Sequence, residues 1–534
     1  MKQLFPVLLI ASLLLTSCGH TDSLWGTYST PTAEYFIPTP FTPDPPTSTD
    51  TATLPPTATS TFTSTPTVTT QLSSTPQTPS KNTPGIEATL TPTFNVPSIS
   101  YYSQSGDTLP ALAARFNVDP SEIRSDAALP AQAMIPANTL LVIPDRITEQ
   151  TTPNIQIIPD SELVFSATAI DFDIAAYVSK ANGDLSTYRE YLGSTGWTSG
   201  ADEIKRAALE NSINPRLLLA ILDYESHRVR GQSIDALHTD YPMGFVDPLY
   251  KGIFSQLVWA VNQLSIGYYG WRTGTLTELK FPDGTKLRID PRLNAGTVAI
   301  QYLFSQEHTQ SQWSQIIDPN NGFPAAYNQM FGDTWARGDK VNPLFPPGLT
   351  QPELSLPFQP KVEWSYTGGP HGAWEHDGSL AAIDFAPSTD HGGCAMTPTW
   401  ITAAAPGLIV RSGNGVVVED LDGDGYEQTG WDLLYLHVAT LDRVPVGTWV
   451  QKNDHIGHAS CEGGIATGTH LHFARKYNGE WIAADGPIPF DLSGWIVHQG
   501  SKTYEGTMTN GTKTIIADPV GQAKSNIFRE SNDQ

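Results

Sequence analysis

From Thr21 to about Pro97 the chain is dominated by Thr, Pro and Ser, in runs such as Pro38-Thr39-Pro40 and Thr63-Ser64-Thr65-Pro66. So few apolar residues cannot bury enough surface to offset the entropy of ordering the backbone, so this stretch forms no core. Its prolines favour extension at about 3.1 Å per residue, enough to lift the C-terminal part of the chain on the order of 200 Å from its start. Residues 19–98 therefore read as a disordered stalk, and anything that folds must lie on either side of it. The uneven spread of 43 prolines over 534 residues predicts several modules rather than one domain.

Ahead of the stalk, Met1-Lys2-Gln3 is a short positive start, Leu4 to Leu15 an apolar core and Thr16-Ser17-Cys18 a small-residue site, the grammar of an export signal over residues 1–18. The apolar run is shorter than the ~20 residues a spanning helix needs. Leu15-Thr16-Ser17-Cys18 resembles the lipobox of bacterial lipoproteins. That resemblance implies cleavage before Cys18, lipidation of its thiol, and an extracytoplasmic protein held to the membrane through lipid alone. Setting Cys18 aside leaves Cys394 and Cys461, an even pair in an exported chain, where oxidising surroundings favour a disulfide. The balance of 30 Lys+Arg against 54 Asp+Glu, net −24, repels nucleic acid and excludes it as an expected partner.

Residues 99–145 carry Ser105-Gly106-Asp107-Thr108-Leu109, then Leu112-Ala113-Ala114-Arg115-Phe116, then Leu140-Leu141-Val142-Ile143-Pro144. The pattern predicts strand, helix and closing strand, with Asp107 or Thr108 as the helix cap. It resembles the LysM module, a small α+β fold, which implies binding to N-acetylglucosamine-containing glycans. Residues 160–345 read as a mainly helical domain, with periodic apolar residues from Ile204 to Leu222 and from Ile253 to Leu264. Its stretch Asn214 to Ser226 resembles the opening of lysozyme-like lytic transglycosylases, which implies Glu225 as a glycan-cleaving acid. The Gly-rich element expected next in that family is replaced by Tyr241-Pro242-Met243-Gly244-Phe245, so a binding or spacer role is the plainer expectation.

Short alternating apolar runs and abundant turn residues across 350–513 predict a mainly antiparallel β domain, with 514–534 as a C-terminal tail. Within it stand Gly368-Gly369-Pro370-His371, Ala382-Ile383-Asp384-Phe385, Leu434-Tyr435-Leu436-His437 and Thr467-Gly468-Thr469-His470-Leu471-His472-Phe473. On a strand, residues i and i+2 face the same side, so His470 and His472 project together. Histidine and carboxylate ligands with one position open to water make a zinc site with His371, Asp384 and one of the paired histidines chemically sensible. The domain resembles LytM and lysostaphin-type zinc endopeptidases, and its Gly-Gly-Pro-His opening the β-lytic branch. Carried over by position, the resemblance implies His371, Asp384 and His472 as zinc ligands and His437 and His470 as catalytic histidines. His376 is a rival first ligand because it lies nearer Asp384, and His391 a weaker one.

Asp420-Leu421-Asp422-Gly423-Asp424-Gly425 resembles the first half of a calcium loop, although position twelve is Trp431, with Asp432 next. A plain acidic turn explains the same residues. The whole chain thus reads as a multidomain zinc metalloendopeptidase acting on peptidoglycan, with zinc and a second candidate cation, calcium. Two rivals stand beside it: a non-catalytic regulator of another wall hydrolase, and a lytic transglycosylase working through Glu225.

Overall fold

A computed structural model describes residues 97–374, 377–389 and 392–530. The export signal with Cys18, nearly all of the stalk, His376 and His391 lie outside the described residues.

The first described module pairs strand β1 (Ser98–Tyr102) antiparallel with β2 (Leu140–Pro144), and helix α1 (Leu109–Phe116) packs Leu112 and Phe116 against them. Of the two possible caps, Thr108 takes the role, accepting from the Ala111 N–H at 3.4 Å. Asp107 instead turns inward, bonding the Arg115 guanidinium and the Tyr101 hydroxyl, each at 2.7 Å. Arg115 also donates to the Trp271 carbonyl, which docks this module onto the helical domain.

The single helix expected from Ile204 to Leu222 is broken in two, α2 (Gly200–Asn211) and α3 (Pro215–Ser226). Ser212 enters the left-handed region at φ 53° and closes α2. Pro215 cannot continue a preceding helix but suits a first turn, where the Asn214 side chain caps the Arg216 N–H at 3.0 Å. The long helix α4 (Ile253–Thr273) outruns the expected Ile253 to Leu264 and packs along α5 (Ala295–Glu307) in the core of this domain.

The C-terminal domain is built on one nine-stranded antiparallel sheet. Its strands are β3 (Glu363–His371), β4 (Ala382–Pro387), β5 (Gly407–Gly413), β6 (Val416–Asp420), β7 (Trp431–Leu436), β8 (Trp449–Val450), β9 (Leu471–Tyr477), β10 (Glu480–Trp481) and β11 (Asn526–Phe528). They run β8-β5-β6-β7-β9-β4-β3-β11, with β10 paired to β9. One face, with Leu433, Tyr435, Leu471 and Phe473, forms the main core. The other, with Val418, Leu434, Leu436 and Ala474, packs under Trp481 and against Tyr269 of α4. Burial on both faces explains why β7 reads as a near-continuous apolar run rather than a clean alternation.

A second sheet, Asp491–Leu492, Trp495–Gln499, Gly506–Asn510 and Lys513–Ile516, flanks the first. The segment expected as a tail from residue 514 is not separate from the domain. Ile515 and Ile527 enter its core, β11 pairs with β3, and Arg529 is fully buried. Spacing gives no sign of this because β11 is only three residues long and returns to the sheet's far edge. The β9–β10 hairpin joins the helical and β domains. Glu480 accepts from Arg272 Nη2 at 2.9 Å and Tyr268 Oη at 2.6 Å, while Ser212 donates to the Gly479 carbonyl at 2.6 Å.

Candidate metal centre

Three adjacent strands converge on one point. His472 on β9 is registered opposite Asp384 on β4, and Gly368 on β3 is registered opposite Asp384 from the other side. Directly opposed residues of antiparallel strands share a face, so the Asp384 and His472 side chains meet by backbone register alone. His371, at the end of β3, completes the group. The glycines before it are dictated by space. A Cβ on Gly368 would lie 2.4 Å from Asp384 Oδ2, and one on Gly369 would lie 2.5 Å from the Glu505 backbone.

His371, Asp384 and His472 are all buried, with one ligand atom from each within 4.8 Å of the others. His371 Nδ1 donates to the Gly369 carbonyl at 2.8 Å and His472 Nε2 to the Ala373 carbonyl at 2.9 Å. Those bonds fix the tautomers and leave His371 Nε2 and His472 Nδ1 with lone pairs. The two lone-pair nitrogens face each other at 2.9 Å. Asp384 Oδ1 lies 3.2 Å from the first and 3.4 Å from the second, buried and without a hydrogen-bond donor. Three buried acceptor atoms converging on one point are the arrangement a cation reconciles, and carbonyls that take the other ring N–H are what orient metal-binding imidazoles.

Two further imidazoles border this group. His437 comes directly after β7, in the left-handed region at φ 65°, and His470 precedes β9; their ring centroids are 4.4 Å apart. A non-glycine residue held there is uncommon and often marks a functional constraint. His437 Nδ1 donates to the Glu462 carbonyl and His470 Nδ1 to the Gly468 carbonyl, each at 2.8 Å. Each ring is thus anchored through Nδ1 and leaves Nε2 outside that bond, and the Nε2 of His470 lies 3.7 Å from Asp384 Oδ1. Burial, with His470 and His472 nearby, pushes His437 down to about 3, so its imidazole is neutral at ordinary pH. The Cys394–Cys461 disulfide is formed, with Cα atoms 5.6 Å apart, and it ties together the loops beside these two histidines.

Tyr504, which carries no motif, stacks on His371 at 4.2 Å between centroids, and its carbonyl accepts from the Gly369 N–H at 2.8 Å. It comes from a loop far along the chain, so no sequence signal could have found it. Glu225 lies apart, in the helical domain. Its Oε1 is 3.2 Å from His308 Nε2, beside Glu307, whose carboxyl burial pushes up to about 7. These residues line a half-open pocket together with Met243 and Trp259. Asp420, Asp422 and Asp424 form a separate group within 4.8 Å, away from the histidines.

Residues 386–484 match the family described as Peptidase family M23, and residues 156–344 match the LasA, N-terminal domain family. The first match begins just past Asp384 and spans His437, His470 and His472. The second covers the helical domain and includes Glu225. The chain is 24% identical over 364 residues to Protease LasA of Pseudomonas aeruginosa (strain UCBPP-PA14), covering 65% of this chain and 79% of that one. It is 24% identical over 153 residues to the Beta-lytic metalloendopeptidase of Lysobacter enzymogenes, covering 28% of this chain and 83% of that one. Among solved structures it is similar to the M23 metalloprotease pseudoalterin, at 22% identity and a TM-score of 0.27, covering 32% of this chain and 96% of that one. The family M23 match and the LasA and beta-lytic relatives support a LytM-type metallopeptidase, carried on the mainly antiparallel β domain C-terminal to the helical region.

Proposed function

We propose that this chain is a zinc metalloendopeptidase that hydrolyses peptide bonds of bacterial peptidoglycan, with His371, Asp384 and His472 as the metal ligands and His437 and His470 as the catalytic histidines. The observation that carries the reading is the orphaned Asp384 Oδ1, buried among two imidazole lone pairs whose rings are already anchored through their other nitrogens. When bound, zinc supplies Lewis acidity, polarising a peptide carbonyl and making water a stronger acid. The rest of the chemistry belongs to the chain. His437 and His470 present their Nε2 atoms to the same pocket, because the Glu462 and Gly468 carbonyls hold the Nδ1 protons. Each can accept a proton from the attacking water, return it to the leaving amine, or hydrogen-bond the oxyanion once protonated.

Peptidoglycan as substrate rests on the LasA and beta-lytic relatives and on the LysM-like resemblance of residues 99–145, which adds glycan binding. An extracytoplasmic, lipid-anchored protein is the reading of the signal and Cys18. The regulator reading loses ground because all five site positions are filled. Glycan cleavage through Glu225 loses ground because the Gly-rich element expected after it is replaced by Tyr241-Pro242-Met243-Gly244-Phe245. The test is peptidoglycan digestion by the purified full chain, beside His472→Ala and Glu225→Ala variants. New amino termini that vanish only in His472→Ala support the peptidase. Shortened glycan strands ending in 1,6-anhydromuramyl residues, lost only in Glu225→Ala, would overturn it in favour of glycan cleavage.

A further inference from the structure

The β6–β7 hairpin carries an acidic cluster that the histidine centre does not use. Asp420 ends β6, Asp422 and Asp424 come next at alternate positions, and Gly425 stands sixth, as in a calcium loop. The acid that such a loop needs at position twelve is missing, because Trp431 stands there. A strand–loop–strand setting replaces that requirement. Asp432 on β7 is registered directly opposite Asp420 on β6, so both side chains leave the same face of the sheet with Cβ atoms about 5 Å apart.

An acidic turn alone would mean little, since Asp422 and Asp424 are exposed and Asp420 accepts amide protons from its own loop, including that of Gly425 at 2.8 Å. Asp432 is different. It is fully buried, and neither of its carboxylate oxygens has a hydrogen-bond partner. A buried carboxylate without a partner is costly unless a cation or a proton joins it. The cation facing it from β9, Lys476, commits its Nζ to Glu427 at 2.7 Å, and Glu427 also takes Arg411 at 2.9 Å. That trio nets one positive charge beside four carboxylates. Burial also raises the Asp420 carboxyl to about 7, with Asp422 adding to the rise, and lifts Asp432 well above its usual range.

We propose that this hairpin is a calcium site in which Asp420, Asp422 and Asp424, with ligand oxygens within 4.8 Å of one another, hold the ion, and Asp432, registered beside Asp420 but outside that group, is the buried carboxylate whose charge the ion offsets. All donors are hard oxygens, and the Tyr426 carbonyl stands at position seven, where a calcium loop uses its backbone oxygen. The site lies at the opposite end of β7 from His437, so a bound ion braces the strand leading into the histidine centre without touching it.

The experiment is a calcium chloride titration of the chelator-treated full chain, followed by calorimetry and thermal unfolding. It is repeated in His472→Ala, so that the histidine centre is disabled and a failure there cannot be mistaken for a failure here. One calcium should bind, with a saturable rise in Tm in both proteins. Asp432→Asn should weaken binding by about tenfold or more and abolish the Tm rise, yet melt no lower than the parent in chelator, because the neutral amide spares the fold a buried carboxyl without a partner. Asp424→Asn, altered only at an exposed side chain, should fold normally and also bind more weakly. Absence of a calcium-dependent shift in the parent, or a parental calcium response in both variants, overturns the site.

Discussion

His472 stands directly across the β4–β9 pair from Asp384, with its Nδ1 3.4 Å from the carboxylate Oδ1. Two of the three proposed ligands are therefore fixed by strand register rather than by loop conformation. Replacing His472 with Ala removes one donor and leaves His371 Nε2 and Asp384 Oδ1 facing an empty position. We expect metal affinity to fall by at least ~10²-fold and peptide-bond cleavage to vanish, while the sheet persists. Elemental analysis of the purified variant, beside its circular dichroism, checks this. A metal-replete His472→Ala protein would sink the ligand assignment.

His437 and His470 should separate from the ligands in their behaviour. Neither needs to hold the metal, so His437→Ala and His470→Ala should keep parental zinc content while kcat drops about 10²–10⁴-fold, the usual worth of a positioned acid or base. Zinc lost together with activity would instead make them ligands.

Much of this centre is legible in the sequence because β structure has a period of two. His470 and His472 announce a shared pocket by spacing alone, and Leu471 between them is wholly buried in the opposite layer. Asp384 and His371 need the resemblance, because their meeting depends on which strands pair, and pairing is not local. Tyr504 is invisible for the same reason. The break between α2 and α3 is hidden although Pro215 stands in plain view, since apolar periodicity continues through Ile213 and Leu217 and masks the interruption. The short β11 gives no periodic signal, so the sequence pattern ends the domain too early.

The disulfide should matter more for catalysis than for metal binding. Beside Cys394, the Gly393 carbonyl accepts the Thr469 N–H at 2.9 Å and the Ala395 carbonyl accepts the Thr469 hydroxyl at 2.5 Å, next to His470. Beside Cys461, the Glu462 carbonyl anchors His437. The bond thus secures the loops that set both catalytic rings. A Cys394→Ser, Cys461→Ser double variant should lose about 2–5 kcal/mol of stability and much of its kcat, with zinc retained. Parental kcat in the folded variant would show that the loops hold their shape unaided.

Glu203, on α2, gives a stability prediction independent of the peptidase site. It is fully buried, neither carboxylate oxygen has a hydrogen-bond partner, and burial, reinforced by Glu190, pushes its carboxyl from 4.5 to about 9. The unfolded chain releases this proton near 4.5, but the folded chain keeps it until about 9. Between those limits the unfolded state binds fewer protons, so this residue lowers stability progressively as pH rises, and the loss levels off above the folded value. Glu203→Gln cannot ionise and escapes that decline. Its advantage over the parent should be small at pH ~5 and grow to on the order of 3 kcal/mol by pH ~8. Urea unfolding of both proteins at the two pH values measures it. Parallel pH profiles would mean that Glu203 is ionised and stabilised in the folded protein, contrary to its unpartnered burial.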